Sequence, residues 1–167
     1  MIRDLYLREN QDFRAKLLGA ALDRLSVVGS LEEIISIVRS TARSVCSADG
    51  VTFVLRDGDK CHYIEEDAIG PLWKGQKFPM ESCISGWAML NRTTAAIEDI
   101  FADARIPHDV YRKTFVKSLV MVPVGGRSGI AAIGAYWRDK RAFTEHDIVA
   151  VETLAGGISG AMQRLAA

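Results

Sequence analysis

Two consecutive apolar stretches restrict this chain more than anything else in it. Residues 116–124 read Val-Lys-Ser-Leu-Val-Met-Val-Pro-Val, and residues 130–137 read Ile-Ala-Ala-Ile-Gly-Ala-Tyr-Trp. Both have strand composition, and both are apolar at odd and even positions alike, so each face of the strands they form has to be covered. Val116, Ser118, Val120, Val122 and Val124 are expected on one face of the first strand, with Leu119, Met121 and Pro123 on the other. Gly-Gly-Arg-Ser-Gly at 125–129 predicts a hairpin loop between them. An antiparallel sheet covered on both sides makes three layers.

The two covering layers can be read from the rest of the chain. Residues 1–28 predict a helix in which Leu17, Leu18, Ala21, Leu22, Leu25 and Val28 recur at steps of three and four. That stripe is narrow, as in a helix packed against one partner helix. Ser30-Leu-Glu-Glu33 has capping-box spacing and opens a second helix, with Leu31, Ile34, Ile35, Val38, Ala42 and Val45 on one broad face. Thr144-Glu-His-Asp147 repeats the signal before a last helix striped by Ile148, Val151, Leu154, Ala155, Ile158, Met162 and Leu165. Residues 51–56 and 61–65 read as a hairpin about Asp57-Gly58-Asp59. The expected fold is α+β: a central antiparallel sheet of five to six strands in an α/β/α arrangement, terminal helices on one face.

The opposite face falls to the long aromatic connection that leads to the first of the two strands. It reads as a helix near 83–91, a short strand at 95–98 and a polar loop, and connections this long commonly cover a pocket. Trp73, Phe78, Trp87, Ile97, His108, Tyr111, Phe115, Met121 and Tyr136 are the candidate lining residues. An apolar wall with few polar groups is the usual form of a ligand site, and plain core is the alternative. Trp87 and Phe115 are expected deep beneath this roof.

Lys plus Arg and Asp plus Glu both total 21, so no net field draws the chain to nucleic acid or anionic lipid. Cys46, Cys61 and Cys83 are odd in number and widely spaced, without a Cys-x-x-Cys, which argues against a disulfide framework or structural zinc. The charged N-terminus is no signal peptide, and no apolar run nears the roughly 20 residues of a membrane span. A cytoplasmic location is therefore expected.

From residue 30 onward the chain resembles a GAF domain, a small-molecule-binding and signalling module. The resemblance rests on Ile84-Ser-Gly-Trp-Ala88 before Ala95-Ala-Ile-Glu-Asp99, on Asp103-x-Arg105, and on Ser118-Leu-Val-Met-Val-Pro123. Ile133-Gly-Ala-Tyr136 and Phe143-Thr-Glu-x-Asp147 complete it. Leu72-Trp-Lys-Gly75, Phe78-Pro79 and Phe115-Val-Lys-Ser-Leu119 are similar to GAF domains of bacterial sensor histidine kinases. The resemblance implies a regulatory, non-catalytic module that binds an unidentified small molecule, with residues 30–167 as the sensory domain. Residues 1–29 would be a signalling helix, joining two copies into a homodimer through the terminal helices, with a kinase core or other output domain beyond. The resemblance names no particular cofactor, which stays unknown. Ile106-Pro-His-Asp109 lacks the Cys-His by which chromophore-binding members attach a bilin, and the Asn-Lys-x-Phe-Asp signature of cyclic-nucleotide binders is absent.

No catalytic set and no metal-ligand spacing stands out. His108 is a conceivable ligand or a loop residue in solvent. Cys83 stands beside a helix N-terminus, a position that lowers a thiol pKa, or is simply a small buried residue. Two other functions compete with the sensory one: an enzyme resembling the free methionine-(R)-sulfoxide reductases, and a structural dimerisation unit with a vestigial pocket. The enzyme reading needs a second thiol beside Cys83, and none is expected there.

Overall fold

The computed structural model describes residues 1–126 and 129–167, so Arg127 and Ser128 of the expected loop lie outside the described residues. Strands β1 (Gly50–Asp57) and β2 (Lys60–Ala68) form a hairpin that turns at Gly58, whose φ of 60° suits a residue without Cβ. β3 (Lys77–Pro79) extends the outer edge of β2. β4 (Ala95–Ile97), β5 (Ser118–Val124) and β6 (Ala131–Trp137) continue beyond β1, giving one antiparallel six-stranded sheet ordered β3-β2-β1-β6-β5-β4.

Helices α1 (Ile2–Leu25), α2 (Leu31–Cys46) and α5 (Glu145–Ala166) cover one face. Helices α3 (Ile84–Asn91) and α4 (His108–Tyr111) cover the other, together with short 3-10 turns at Met80–Ser82 and Ile100–Ala102. Both expected caps form. Ser30 accepts the Glu33 N–H at 3.2 Å, and Thr144 and Asp147 cap each other reciprocally.

Side chains alternate across the sheet into two cores. Val120, Val122, Val124, Ile133, Ala135 and Trp137 point to the terminal helices, and Leu119, Met121, Ala132 and Tyr136 point to the roof. Val116 departs from the expected face. It precedes β5, where the two-residue alternation does not yet hold, and packs under the roof.

The second half of α1 belongs to the helical layer. Ala21 and Leu25 are buried, and Leu22 lies so close to α5 that a Cβ on Gly157 would meet its Cδ2 at 2.5 Å. Arg14 donates to the carbonyls of Val45 and Cys46 at 3.0 and 3.2 Å and pairs with Asp147 at 3.5 Å. The stripe expected to be left for a partner helix is thus largely covered by the chain itself, and Ile158 of α5 is fully buried too. The first half of α1 is different: Ile2, Leu5, Tyr6, Leu7 and Phe13 are exposed.

Candidate functional site

A one-residue bulge in β2 sets up the roofed face. Val54 stands opposite Tyr63 but Phe53 stands opposite Glu65, so the pairing skips Ile64. Cys61 and Tyr63, before the bulge, face the roof, while Ile64 packs toward the helices and Glu65 pairs with Arg39 of α2 at 3.1 Å. The extra residue brings Glu66 back to the roof side. There its carboxylate accepts the N–H groups of Leu72, Trp73 and Lys74 at 2.9, 2.9 and 2.7 Å. Hydrogen bonds to an ionised acceptor are about twice as strong as neutral ones, so this carboxylate holds the turn that carries Trp73. Burial alone would raise the Glu65 carboxyl. The Lys74 ammonium at 2.7 Å, the Glu66 amide and Arg39 outweigh it and hold the group below the usual range.

Trp73 stands at the centre of an aromatic box. Its ring centroid is 4.7 Å from Tyr111 and 5.6 Å from both Tyr63 and Tyr136, and Phe78 meets Tyr63 edge-on at 5.5 Å. The polar tips are tied down: Tyr136 and Thr52 hydroxyls lie 2.8 Å apart, and those of Tyr63 and Ser85 2.9 Å apart. Burial pushes the Tyr63, Tyr111 and Tyr136 hydroxyls up, so they stay protonated. The space left inside is about 10 Å³, lined by Tyr63, Trp73, Phe78, Cys83, Pro107, Val110 and Tyr111. That is room for one water.

Of the expected lining residues, Trp73, Phe78 and Tyr111 meet at this cavity and Tyr136 lies against Trp73. Ile97 and Met121 are buried in the same core without lining it. Trp87 is half-buried, not deep. It lies outside the box with the Arg105 guanidinium 4.3 Å above its ring, because α3 buries Ile84, Ser85, Ala88 and Met89 instead. Phe115 is also half-buried and packs over Gly50 and Gly70. His108 faces away: its Nε2 lies 3.0 Å from the Asp103 carbonyl, and its ring meets Phe101 edge-on. The single turn of α4 presents Pro107, Val110 and Tyr111 inward, and residue 108 falls on the other side.

Tyr63, Cys83, Pro107 and Val110 are additions to the expected set. Tyr63 had a local signal, since it alternates with Cys61 along β2. The approach of Cys61 to Cys83 had none. The Cys61 thiol donates to Met80 Sδ at 3.2 Å, and Cys83 lies at the other end of the same 3-10 turn, its sulfur 3.4 Å from the Ser85 hydroxyl. Cys61 and Cys83 thus stand about one 3-10 turn in the same buried core, and a second thiol does lie near Cys83, contrary to expectation. Cys46 is remote from both; burial pushes its thiol up to about 12, with Arg14 opposing. Among the described residues no group of three His, Cys, Asp or Glu side chains is placed to hold a metal ion. None of the described helices is long and apolar enough to cross a membrane.

A six-stranded antiparallel sheet with terminal helices on one face and a roofed aromatic cavity on the other defines a GAF fold. The family model described as a GAF domain matches residues 29–163, and the chain belongs to that family. Among solved structures it is similar to the free methionine-R-sulfoxide reductase of Neisseria meningitidis in complex with its substrate, at 16% identity and a TM-score of 0.79, covering 93% of this chain and 92% of that one. The GAF domain of a Coxiella burnetii phosphoenolpyruvate-protein phosphotransferase is 12% identical with a TM-score of 0.79, covering 93% and 95%. The phycocyanobilin-bound GAF domain of a cyanobacterial phytochrome is 16% identical with a TM-score of 0.74, covering 91% and 94%. No curated protein sequence matches the chain. These structures share the fold across unlike functions and do not single out sensor histidine kinases.

Proposed function

We propose that this domain is a regulatory, non-catalytic sensing module of a bacterial signal-transduction protein, and that its ligand is a small, mostly apolar molecule held in the aromatic box. The observation that carries this reading is the box itself. It lies between sheet and roof, and at about 10 Å³ it is too small to take a ligand without moving its cover. Occupancy therefore displaces α4 and the connection before β5, and a ligand that favours the displaced roof shifts the domain between two states. Native mass spectrometry of protein purified from its own cells tests this. The expected result is a retained small molecule that denaturation releases. A bare mass, with Trp73 fluorescence unmoved by a panel of small aromatic compounds, overturns it in favour of a structural module. Turnover of free methionine-(R)-sulfoxide overturns it in favour of the enzyme.

Residues 1–29 are read as the signalling helix and residues 30–167 as the sensory domain, in a homodimer with a kinase core or other output domain attached. The support is the exposed first half of α1, where Ile2, Tyr6 and Phe13 recur at steps of four and seven. A second copy in parallel would cover them. Light scattering decides it: a monomer at micromolar concentration rules the dimer out.

A further inference from the structure

The aromatic box discriminates by charge. Tyr63, Trp73, Phe78 and Tyr111 line its cavity, and among the described residues no Lys, Arg or His does. A carboxylate or phosphate inside would be buried without a partner, which is costly. Hydrogen-bonding capacity is largely spent as well. The Tyr63 hydroxyl is engaged with Ser85 at 2.9 Å, and that of Tyr136 with Thr52 at 2.8 Å. A ligand rich in N–H or O–H groups would leave them unsatisfied there. What the box does offer is ring surface. Trp73 is inclined by 58° to Tyr111 and 66° to Tyr63, and Tyr63 by 89° to Phe78, so the rings meet as angled walls and not as a parallel stack.

A carboxylate without a cation stands behind these walls. Glu66 is half-buried and accepts the backbone N–H of Trp73 itself at 2.9 Å. Its neighbour Glu65 is paired with Lys74 and Arg39. Glu66 is not: its partners are three backbone N–H groups and, among the described residues, no Lys, Arg or His side chain. Charges removed from water are ordinarily paired, so the box carries an uncompensated negative field beside its indole. Electron-rich rings, a nearby unpaired carboxylate and few free hydrogen-bonding groups suit one class of guest, a cation that carries no N–H.

We propose that the box takes a quaternary ammonium group, its methyls against Trp73, Tyr63 and Tyr111 and the Glu66 carboxylate as its counter-charge. The inference rests on the reading that the box binds a small molecule, and it names the class of that molecule. A trimethylammonium group presents only methyl surface, so it fits apolar walls and asks for no hydrogen-bond acceptor. Its charge is attracted to the negative faces of the rings, the indole most strongly. A primary ammonium of equal charge brings three N–H donors that these walls cannot satisfy. The cavity of about 10 Å³ admits the group only when one wall withdraws. Tyr63 is fixed by the β1–β2 pairing and Trp73 by Glu66. Tyr111 lies on α4, a single turn of four residues, and is the wall that withdraws and closes again over the methyls.

Choline and neohexanol have the same shape and differ in one atom, a charged nitrogen against a neutral carbon. Calorimetric titration of each into the wild-type protein tests the proposal. Choline should bind saturably at millimolar concentration or below, and at least tenfold more tightly than neohexanol. Nuclear Overhauser contacts from the choline methyl protons to the ring protons of Trp73 and Tyr111 should locate it on the same wild-type protein. In Tyr111→Leu, with its fold verified by circular dichroism, choline should lose its advantage while neohexanol still binds; a merely structural defect would weaken both alike. Neohexanol binding as tightly as choline overturns the cation and leaves an apolar ligand in the box. Choline contacts confined to other residues overturn the box as the cation site. Binding of neither probe overturns the cage. Native mass spectrometry separates that failure from failure of the sensing reading: a retained neutral or anionic molecule upholds the sensing module without the cation, and a bare mass counts against both.

Discussion

Replacing Gly86 by Ala tests how α3 is seated on the rest of the roof. In an ordinary helix interior the change is favourable by about 1 kcal/mol, because Gly loses more backbone freedom than Ala on folding. Here a Cβ on residue 86 would stand 1.8 Å from the Met80 carbonyl oxygen, 2.5 Å from its carbon and 2.7 Å from Met80 Cα. To regain ordinary contact at 3.4 Å the carbonyl has to recede by about 1.6 Å. It is backbone, not the end of a flexible side chain, and the Met80 N–H is itself held by the Asp59 carbonyl at 2.9 Å. Overpacking typically costs 1–3 kcal/mol, and an approach of 1.8 Å to backbone stands at the top of that range, so about 3 kcal/mol of steric cost less about 1 of propensity gain leaves Gly86→Ala losing about 2 kcal/mol net. The control is Gly156→Ala in α5, where a Cβ meets nothing within 4 Å and the same substitution should gain about 0.5–1 kcal/mol. For a domain of this size that separates the two variants by roughly 5–12 °C in Tm, on opposite sides of the wild type. Urea and thermal unfolding followed by circular dichroism measure it. A Gly86→Ala protein as stable as the wild type would mean that α3 does not rest on the Met80 turn, and the seating of Cys83 on that turn would fall with it.

Glu66→Ala removes the acceptor of three backbone N–H groups and should cost about 2–3 kcal/mol in urea unfolding, with a red-shifted Trp73 emission as its turn loosens; an unchanged spectrum refutes that role. Trp87→Ala should cost only about 1–2 kcal/mol, since the ring is half-buried beneath Arg105, and a loss near the 3–5 kcal/mol of a deep aromatic would place it inside the box. The Glu65 carboxyl is held below its ordinary range, so its stabilising effect is complete above the unfolded pKa near 4.3 and is lost as pH falls through the folded value. Glu65→Gln should therefore flatten the decline in stability below about pH 4.5, and an unaltered acid limb counts against the pairing with Lys74 and Arg39. Tyr6→Glu with Phe13→Glu should give a folded monomer by light scattering, whereas Leu22→Glu should destabilise the fold because Leu22 packs against Gly157. Co-expression with bilin should leave no zinc-induced fluorescence on a denaturing gel; a fluorescent band would refute the absence of a covalent attachment site.

The layers could be read from the chain because each rests on local chemistry. Strands apolar on both faces need two covers wherever they lie, and Ser30 and Thr144 cap their helices through residues only three positions away. Asp57-Gly58-Asp59 turns its hairpin for reasons contained in those residues. The GAF family was visible for the same reason, since its motifs are runs of neighbours. Much of the site was not of this kind. Side-chain alternation assumes an unbroken strand, and the skip at Ile64 reverses the phase of β2, so that Glu66 rather than Glu65 turns to the roof. Trp87 and His108 have the composition of pocket residues, but each falls a residue or two, at about 100° per residue, from the inward-facing positions of its helix and so lies outside the box. Cys61 and Cys83 are 22 positions apart on elements with no common periodicity. Both reach the Met80 turn because β3 pairs with β2 and that turn folds back over the edge, a consequence of long-range pairing that residue type and spacing do not encode.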